Sequence, residues 1–140
     1  MARIVLTDAY VAYGSSDISD YITSVSLNTT FDVIETTAFG DTARKRVAGL
    51  ADNSITLEFQ QDFASGAIEQ IIYQSQATNT LGTTVYLEVR PTSGAVSPTN
   101  PKYTFNALVS EYPILNGAVG ELATGSVTWP ISGAITKATS

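Results

Sequence analysis

The chain has 140 residues, with 7 Lys and Arg against 13 Asp and Glu, a formal net charge of −6, and neither cysteine nor histidine. The missing residue types exclude disulfides, thiolate nucleophiles, imidazole acid-base chemistry and the two side chains most used to hold zinc. Charged residues make up only 14% of the chain while serine and threonine number 33, so the surface is built from small hydroxyls. Such a surface costs less to desolvate than a charged one and suits both β-strands and burial against further copies of the protein.

In chain order, the N-terminus has no apolar run of signal-peptide type, and no stretch reaches about eighteen apolar residues. A soluble, non-exported chain is expected, and its length suits one domain with its own core. ARIVL is expected as a short strand and DAYVAYGSSDISD as a loop leading from it. In SSDISD (15–20) the acidic residues lack the spacing and glycine of a calcium loop, so Asp17 and Asp20 are expected in capping or turn roles and no metal is predicted. A long hairpin is predicted over 22–62. Its first arm alternates Val25, Leu27, Thr29, Phe31 and Val33 with Ser24, Ser26, Asn28, Thr30 and Asp32; its second alternates Ile55, Leu57 and Phe59 with Thr56, Glu58 and Gln60. Between the arms, 38–52 is expected to form a loop.

The period then changes. Ile68, Ile71, Ile72 and Ser75 fall at helical offsets, which predicts one helix over about 64–77 with Asp62 or Ser65 as its cap. TTVYLEVRP returns to alternation and predicts a strand over 83–91, followed by a Pro- and Gly-punctuated loop over 92–101. Strands over 102–112 and 119–131 complete the chain as a last pair, with Pro130 at a strand end or edge. The fold class is mainly β: an antiparallel sandwich or open barrel with one flanking helix.

Chemistry is sparse. A glycosidase-like carboxylate pair would have to come from Asp17, Asp20, Glu58, Asp62, Glu88 or Glu111, and nothing in the spacing brings two of them together. Trp129 shares an alternating apolar face with Val127 and Ile131, which makes it core rather than a stacking platform. No phosphate loop is present, and neither an enzyme nor a cofactor is predicted. Arg44, Lys45 and Arg46 stand together, but 41–52 carries a net charge of only +1 against −7 elsewhere, too little for free nucleic-acid binding. Either this run is a solvated tip, or it docks on acidic surface of another copy.

The run DISDYITSVSLNTTFDVIETTAFGDTARKRVAGLADNSITLEFQQDF (17–63), with its F-G-D and A-G-L turns, resembles the front half of the major tail tube protein of long, non-contractile phage tails. EYPILNGAVGELATGSVTWPISGAIT (111–136) resembles that family's last strand, running into a proline and a glycine turn, while 92–101 has no counterpart. The resemblance implies a structural virion protein, made in the host cytoplasm, that assembles into stacked hexameric rings without membrane insertion. DNA would pass through the lumen without specific binding, and tape-measure, tail-tip and tail-terminator proteins would be further partners. On that reading Phe39, Gly40, Asp41, Arg44, Lys45, Arg46 and Leu50 make contacts between subunits and rings. A conduit should lack cations, since each one set against a phosphate adds affinity. Ser26, Asn28, Thr30, Asp32, Thr56, Glu58, Gln60, Thr104, Asn106, Ser126 and Thr128 meet that condition and are expected to face the lumen, whereas the face of Tyr86, Glu88 and Arg90 is not. The same alternation also suits an ordinary solvent face. The alternative function is a carbohydrate- or receptor-binding β-sandwich module of a phage tail, which would need an exposed aromatic row such as Tyr86 with Tyr103 or Tyr112.

Overall fold

The computed structural model describes residues 3–73 and 81–140, and among these it forms two antiparallel sheets with one short helix. Strands β1 (Tyr10–Tyr13), β2 (Ser16–Asp17), β5 (Thr84–Arg90), β6 (Lys102–Leu108) and β8 (Thr136–Ala138) make one sheet in the order β2-β1-β5-β6-β8. The other is β3-β4-β7, from β3 (Ile22–Glu35), β4 (Arg46–Gln60) and β7 (Thr124–Pro130). Helix α1 (Ile68–Ile72) follows β4.

The core lies between the sheets and is fed by the alternation in each strand. Ile55, Leu57 and Phe59 of β4, Val127 and Trp129 of β7, Leu87 of β5, Phe105 and Ala107 of β6 and Val11 of β1 are all buried, joined by Ile68 and Ile72 of α1. Trp129 is fully buried, as its alternation predicts. Its ring lies 5.9 Å from that of Tyr13, and its Nε1 donates to the Glu111 carbonyl at 2.8 Å, so the indole N–H is satisfied inside the core. At the buried Gly125, the Pro113 and Phe59 rings occupy the space of a side chain. A Cβ there would stand 2.7 Å from Pro113 Cγ and 2.8 Å from Phe59 Cζ. Gly125→Ala is therefore expected to destabilise the monomer by about 1–3 kcal/mol through overpacking, measured by urea unfolding.

Several boundaries differ from the sequence expectation, each for a physical reason. The ARIVL strand is absent: Ile4, Val5 and Leu6 are exposed, and the N-terminal strand is instead YVAY, whose Val11 and Tyr13 reach the core. The hairpin loop is not 38–52 but 36–45, because Arg46 to Asp52 already belong to β4 and pair with β3 as Glu35↔Arg46, Ile34↔Val47, Val33↔Ala48 and Thr30↔Asp52. A bulge between Phe31 and Val33 absorbs an extra residue of β4, so Val33 and Ala48 stand opposite each other without a shared odd-number parity. The helix is one turn starting at Ile68; its N-cap is Ala67, and Asp62 instead accepts the Ala64 N–H. The end of the expected helix, 74–80, lies outside the described residues. The expected last pair of strands does not form a ladder: β6 joins β5 and β8, β7 crosses to β4, and a single antiparallel bridge, Ala107↔Ile131, links the two predicted segments. In the loop after β5, Asn100 is the organiser: its Nδ2 donates to the carbonyls of Gly94 and Ala95, and its Oδ1 accepts from the Thr92 N–H.

Tyr112 marks the end of the core nearest α1. Its ring stacks on Phe59 at 5.8 Å and on Tyr73 at 6.2 Å, and its hydroxyl has no hydrogen-bond partner among the described residues. Burial, with a smaller contribution from the Glu69 carboxylate, pushes its pKa up from 10.0 to about 12. The unfolded chain thus releases this proton near pH 10 and the folded chain near 12, so the stabilisation is complete below pH 10 and lost as pH rises through that window. Tyr112→Phe should flatten the decline in unfolding midpoint between these pH values and leave the midpoint at pH 7 unchanged or raised.

Candidate assembly surfaces

The distal half of the β3–β4 hairpin leaves the body of the protein. From Thr30 to Ala48 no residue is buried, yet this ribbon carries Phe31, Val33, Ile34 and Val47, with Phe39 fully exposed at its tip and Leu50 at its bulge 82% exposed. A two-stranded ribbon is marginal in water on its own, and contiguous exposed apolar groups mark a surface that another molecule covers. The tip is shaped by its own polar groups. The Ala38 N–H donates to Asp41 Oδ2 at 2.8 Å, Gly40 takes the left-handed conformation at φ 91°, and the Lys45 N–H donates to Thr37 Oγ1 at 2.9 Å. The Ala38 N–H and Lys45 hold the Asp41 carboxyl below the usual carboxylate range.

Two of the three consecutive cations are engaged within this loop. Arg44 Nη1 lies 2.7 Å from Glu35 Oε1 and Lys45 Nζ 2.9 Å from Asp41 Oδ1, while Arg46 forms no ion pair among the described residues. Acidic groups of another copy would have to compete with Glu35 and Asp41 for Arg44 and Lys45. Exposed pairs of this kind contribute about 1 kcal/mol or less, so the apolar ribbon outweighs the cations as a source of contact energy.

The outer face of β3-β4-β7 is a continuous polar surface. Register sets Ser24, Glu58 and Ser126 in one row, Ser26, Thr56 and Thr128 in the next, then Asn28, Ser54 and Pro130, then Thr30 with Asp52. The Thr56 and Thr128 hydroxyls are 3.2 Å apart, and Asn28 Nδ2 donates to Ser26 Oγ at 3.3 Å. No lysine or arginine stands in these rows. Asp32 and Gln60 continue the face at its two ends by alternation. Thr104 and Asn106 do not belong to it. They stand on β6 in the other sheet, opposite Glu88 and Tyr86, and Thr104 is only 8% exposed. Alternation tells which side of a strand is polar but not which sheet the strand joins. The face of Tyr86, Glu88 and Arg90 also lies on that other sheet, where Arg90 Nε pairs with Glu88 Oε2 at 2.7 Å and its guanidinium lies 4.1 Å from the centre of the Tyr10 ring.

Two further features were not legible as surfaces in the sequence. One is an open apolar groove of about 910 Å³ under the inner face of β3, lined by Ile4, Leu6, Val25, Leu27, Phe31 and Ile135 among others. The other is the connection from β6 to β7, which presents Ile114, Leu115, Val119 and Leu122 to solvent. This connection is pinned along the free edge of β7. Glu111 Oε1 accepts the Thr128 N–H at 2.9 Å, Asn116 Nδ2 donates to the Thr124 carbonyl at 2.8 Å, and Pro130 has no N–H to offer. An edge so covered is poor at recruiting stray strands.

Four of the six candidate carboxylates have structural partners. Asp17 accepts from Ser19, Asp62 from Ala64, Glu111 from Thr128 and Glu88 from Arg90. The aromatic row is not formed: Tyr86 is half-exposed on the outside of β5, Tyr103 lines the groove and Tyr112 is buried.

No protein-family profile and no curated protein matches the chain in sequence. Solved structures match it in fold. A chain of the virion of the native gene transfer agent particle superposes with a TM-score of 0.71 at 11% identity, covering 96% of this chain and 98% of that one. A chain from the sheath/tube terminator of an extracellular contractile injection system, PVC, in its extended state gives 0.70 at 17% identity over 98% and 97%. A chain from the tail of the empty gene transfer agent particle, refined with C6 helical symmetry, gives 0.65 at 12% identity over 96% and 98%. The mainly β, two-sheet architecture with one helix is thus a fold of tail and injection-system particles.

Proposed function

We propose that the protein is a structural subunit that assembles with itself into stacked six-membered rings, forming the tube of a phage or phage-like tail, with no catalytic activity. One observation carries this reading. The long ribbon from Thr30 to Ala48 carries exposed apolar side chains, Phe31, Val33, Ile34, Phe39 and Val47, that none of the described residues buries, in a fold shared over nearly its whole length with chains of tail particles, one of them of C6 symmetry. The ribbon bridges subunits and rings, with Phe39 and Leu50 as apolar anchors and Arg46 as the cation left to an adjacent copy. The cation-free face of β3-β4-β7 lines the lumen and lets DNA pass without holding it. The resemblance of 17–63 and 111–136 favours a long non-contractile tail, with tape-measure, tail-tip and terminator proteins as the partners it implies.

The test is direct. Purified protein, concentrated and followed by size-exclusion chromatography with light scattering and by negative-stain microscopy, is expected to convert from monomer to rings and hollow tubes. A monomer that persists at every concentration and salt condition, and is retained by an immobilised sugar, would support a carbohydrate-binding module instead.

A further inference from the structure

The groove under β3 and the pinned connection before β7 are complementary in three respects. The first is polarity: the groove is walled by aliphatic and aromatic side chains, and the connection exposes Ile114, Leu115, Val119 and Leu122, with Leu115 78% exposed and Val119 fully so. The second is charge. Only two charged residues line the groove, Arg90 and Lys137, both cations in a chain of net charge −6, while 111–122 carries Glu111 and Glu121 and no cation. Arg90 is committed to Glu88, but Lys137 has no ion pair among the described residues. The third is position. The groove underlies edge strand β3 and reaches Ile131 and Ile135 past the Pro130 end of β7, whereas the connection is tied to the Thr124 end of β7, so the two features are separate patches of one subunit.

We propose that 113–122 of one subunit seats in the groove under β3 of the next, with Glu121 facing Lys137. Two different patches meet in this contact, so it is heterologous and propagates head to tail; such a contact closes into a ring when the rotation between copies allows. The connection is fixed near the Thr124 end of β7 and the groove runs along Val25 to Phe31 of β3, so adjacent sheets are staggered along their strands, as closure of a sheet into a barrel requires. This rests on the tube reading above and adds to it the contact that joins neighbours within a ring.

The chain has no cysteine, so introduced thiols report without background. In full-length protein carrying Thr29→Cys in the groove and Leu115→Cys on the connection, both at exposed positions, assembly followed by a short bismaleimide should give a ladder of covalent oligomers on a denaturing gel. Either single variant should give no ladder beyond dimer. In a second arm, Lys137→Glu should raise the concentration needed for assembly roughly tenfold, with Glu121→Lys in the same chain restoring it, while the monomer's thermal unfolding stays unchanged. Tubes that form without a ladder, or a bridge made only within a monomer, overturn the proposal and leave the tube reading standing. So does a ladder obtained with Phe39→Cys in place of Leu115→Cys, which would give the groove to the ribbon tip. Failure of the unmodified chain to assemble at all overturns both.

Discussion

A chain carrying Val33→Thr, Phe39→Ser and Leu50→Ser is expected to purify as a folded monomer that no longer forms tubes. All three side chains are exposed, Val33 at 69%, and none belongs to the core. Their replacement should therefore shift monomer stability by no more than about 0.5 kcal/mol. Threonine at 33 keeps a β-branched residue in the strand, so the ribbon itself is preserved. Each apolar side chain buried at a contact contributes about 1.5–3 kcal/mol, and three per subunit repeated around every ring is enough to decide whether the assembly exists. Equal unfolding curves together with complete loss of tubes by electron microscopy is the expected pair of results. Normal tubes from this variant would mean that the ribbon is a decoration.

The second large effect concerns passage of DNA. Lysine at Ser26, Asn28 and Thr128 adds three cations per subunit to a face that has none, at exposed positions well away from the core and the ribbon tip. Tubes should still assemble. Each lysine that meets a phosphate releases counterions and steepens the salt dependence of binding by about one unit in log K against log salt, so DNA should bind within the lumen and its release should slow severalfold or stop at low salt. Tyr86→Lys, on the opposite sheet, should leave passage unchanged. Ejection followed by dye release at two salt concentrations separates these outcomes. Normal ejection from particles carrying the triple change would remove the β3-β4-β7 face from the lumen.

The sequence carried the fold further than the surfaces. Period-2 alternation placed Ile55, Leu57, Phe59, Val127 and Trp129 in the core, since each strand buries one face and alternation reports that burial directly. The same signal misled at Phe31 and Val33, which continue the apolar alternation of β3 yet remain 59% and 69% exposed. A strand does not record in its own pattern how far its cover extends. VAGLAD, with its A-G-L turn, reads as part of the 38–52 loop, whereas Gly49 and Leu50 form a bulge inside a longer strand. Thr104 and Asn106 stand on the other sheet from the remaining rows, because which sheet β6 joins depends on long-range pairing that no local pattern encodes. The groove under β3 is assembled from residues as distant in sequence as Leu6 and Ile135 and has no local signature. Sparse charge and abundant hydroxyls point to assembly in the sequence, and the apolar side chains of the ribbon give that inference a place on the molecule.

The proposed tube turns the cation-free face of β3-β4-β7 inward. Helical reconstruction by cryo-electron microscopy of tubes assembled from the purified protein tests it most directly, at a resolution that traces strands. Six subunits per ring are expected, with the row of Ser26, Thr56 and Thr128 on the luminal wall and the β3–β4 ribbon buried between subunits. Tubes with that row on the outer surface, or with the ribbon free in solvent, would contradict it.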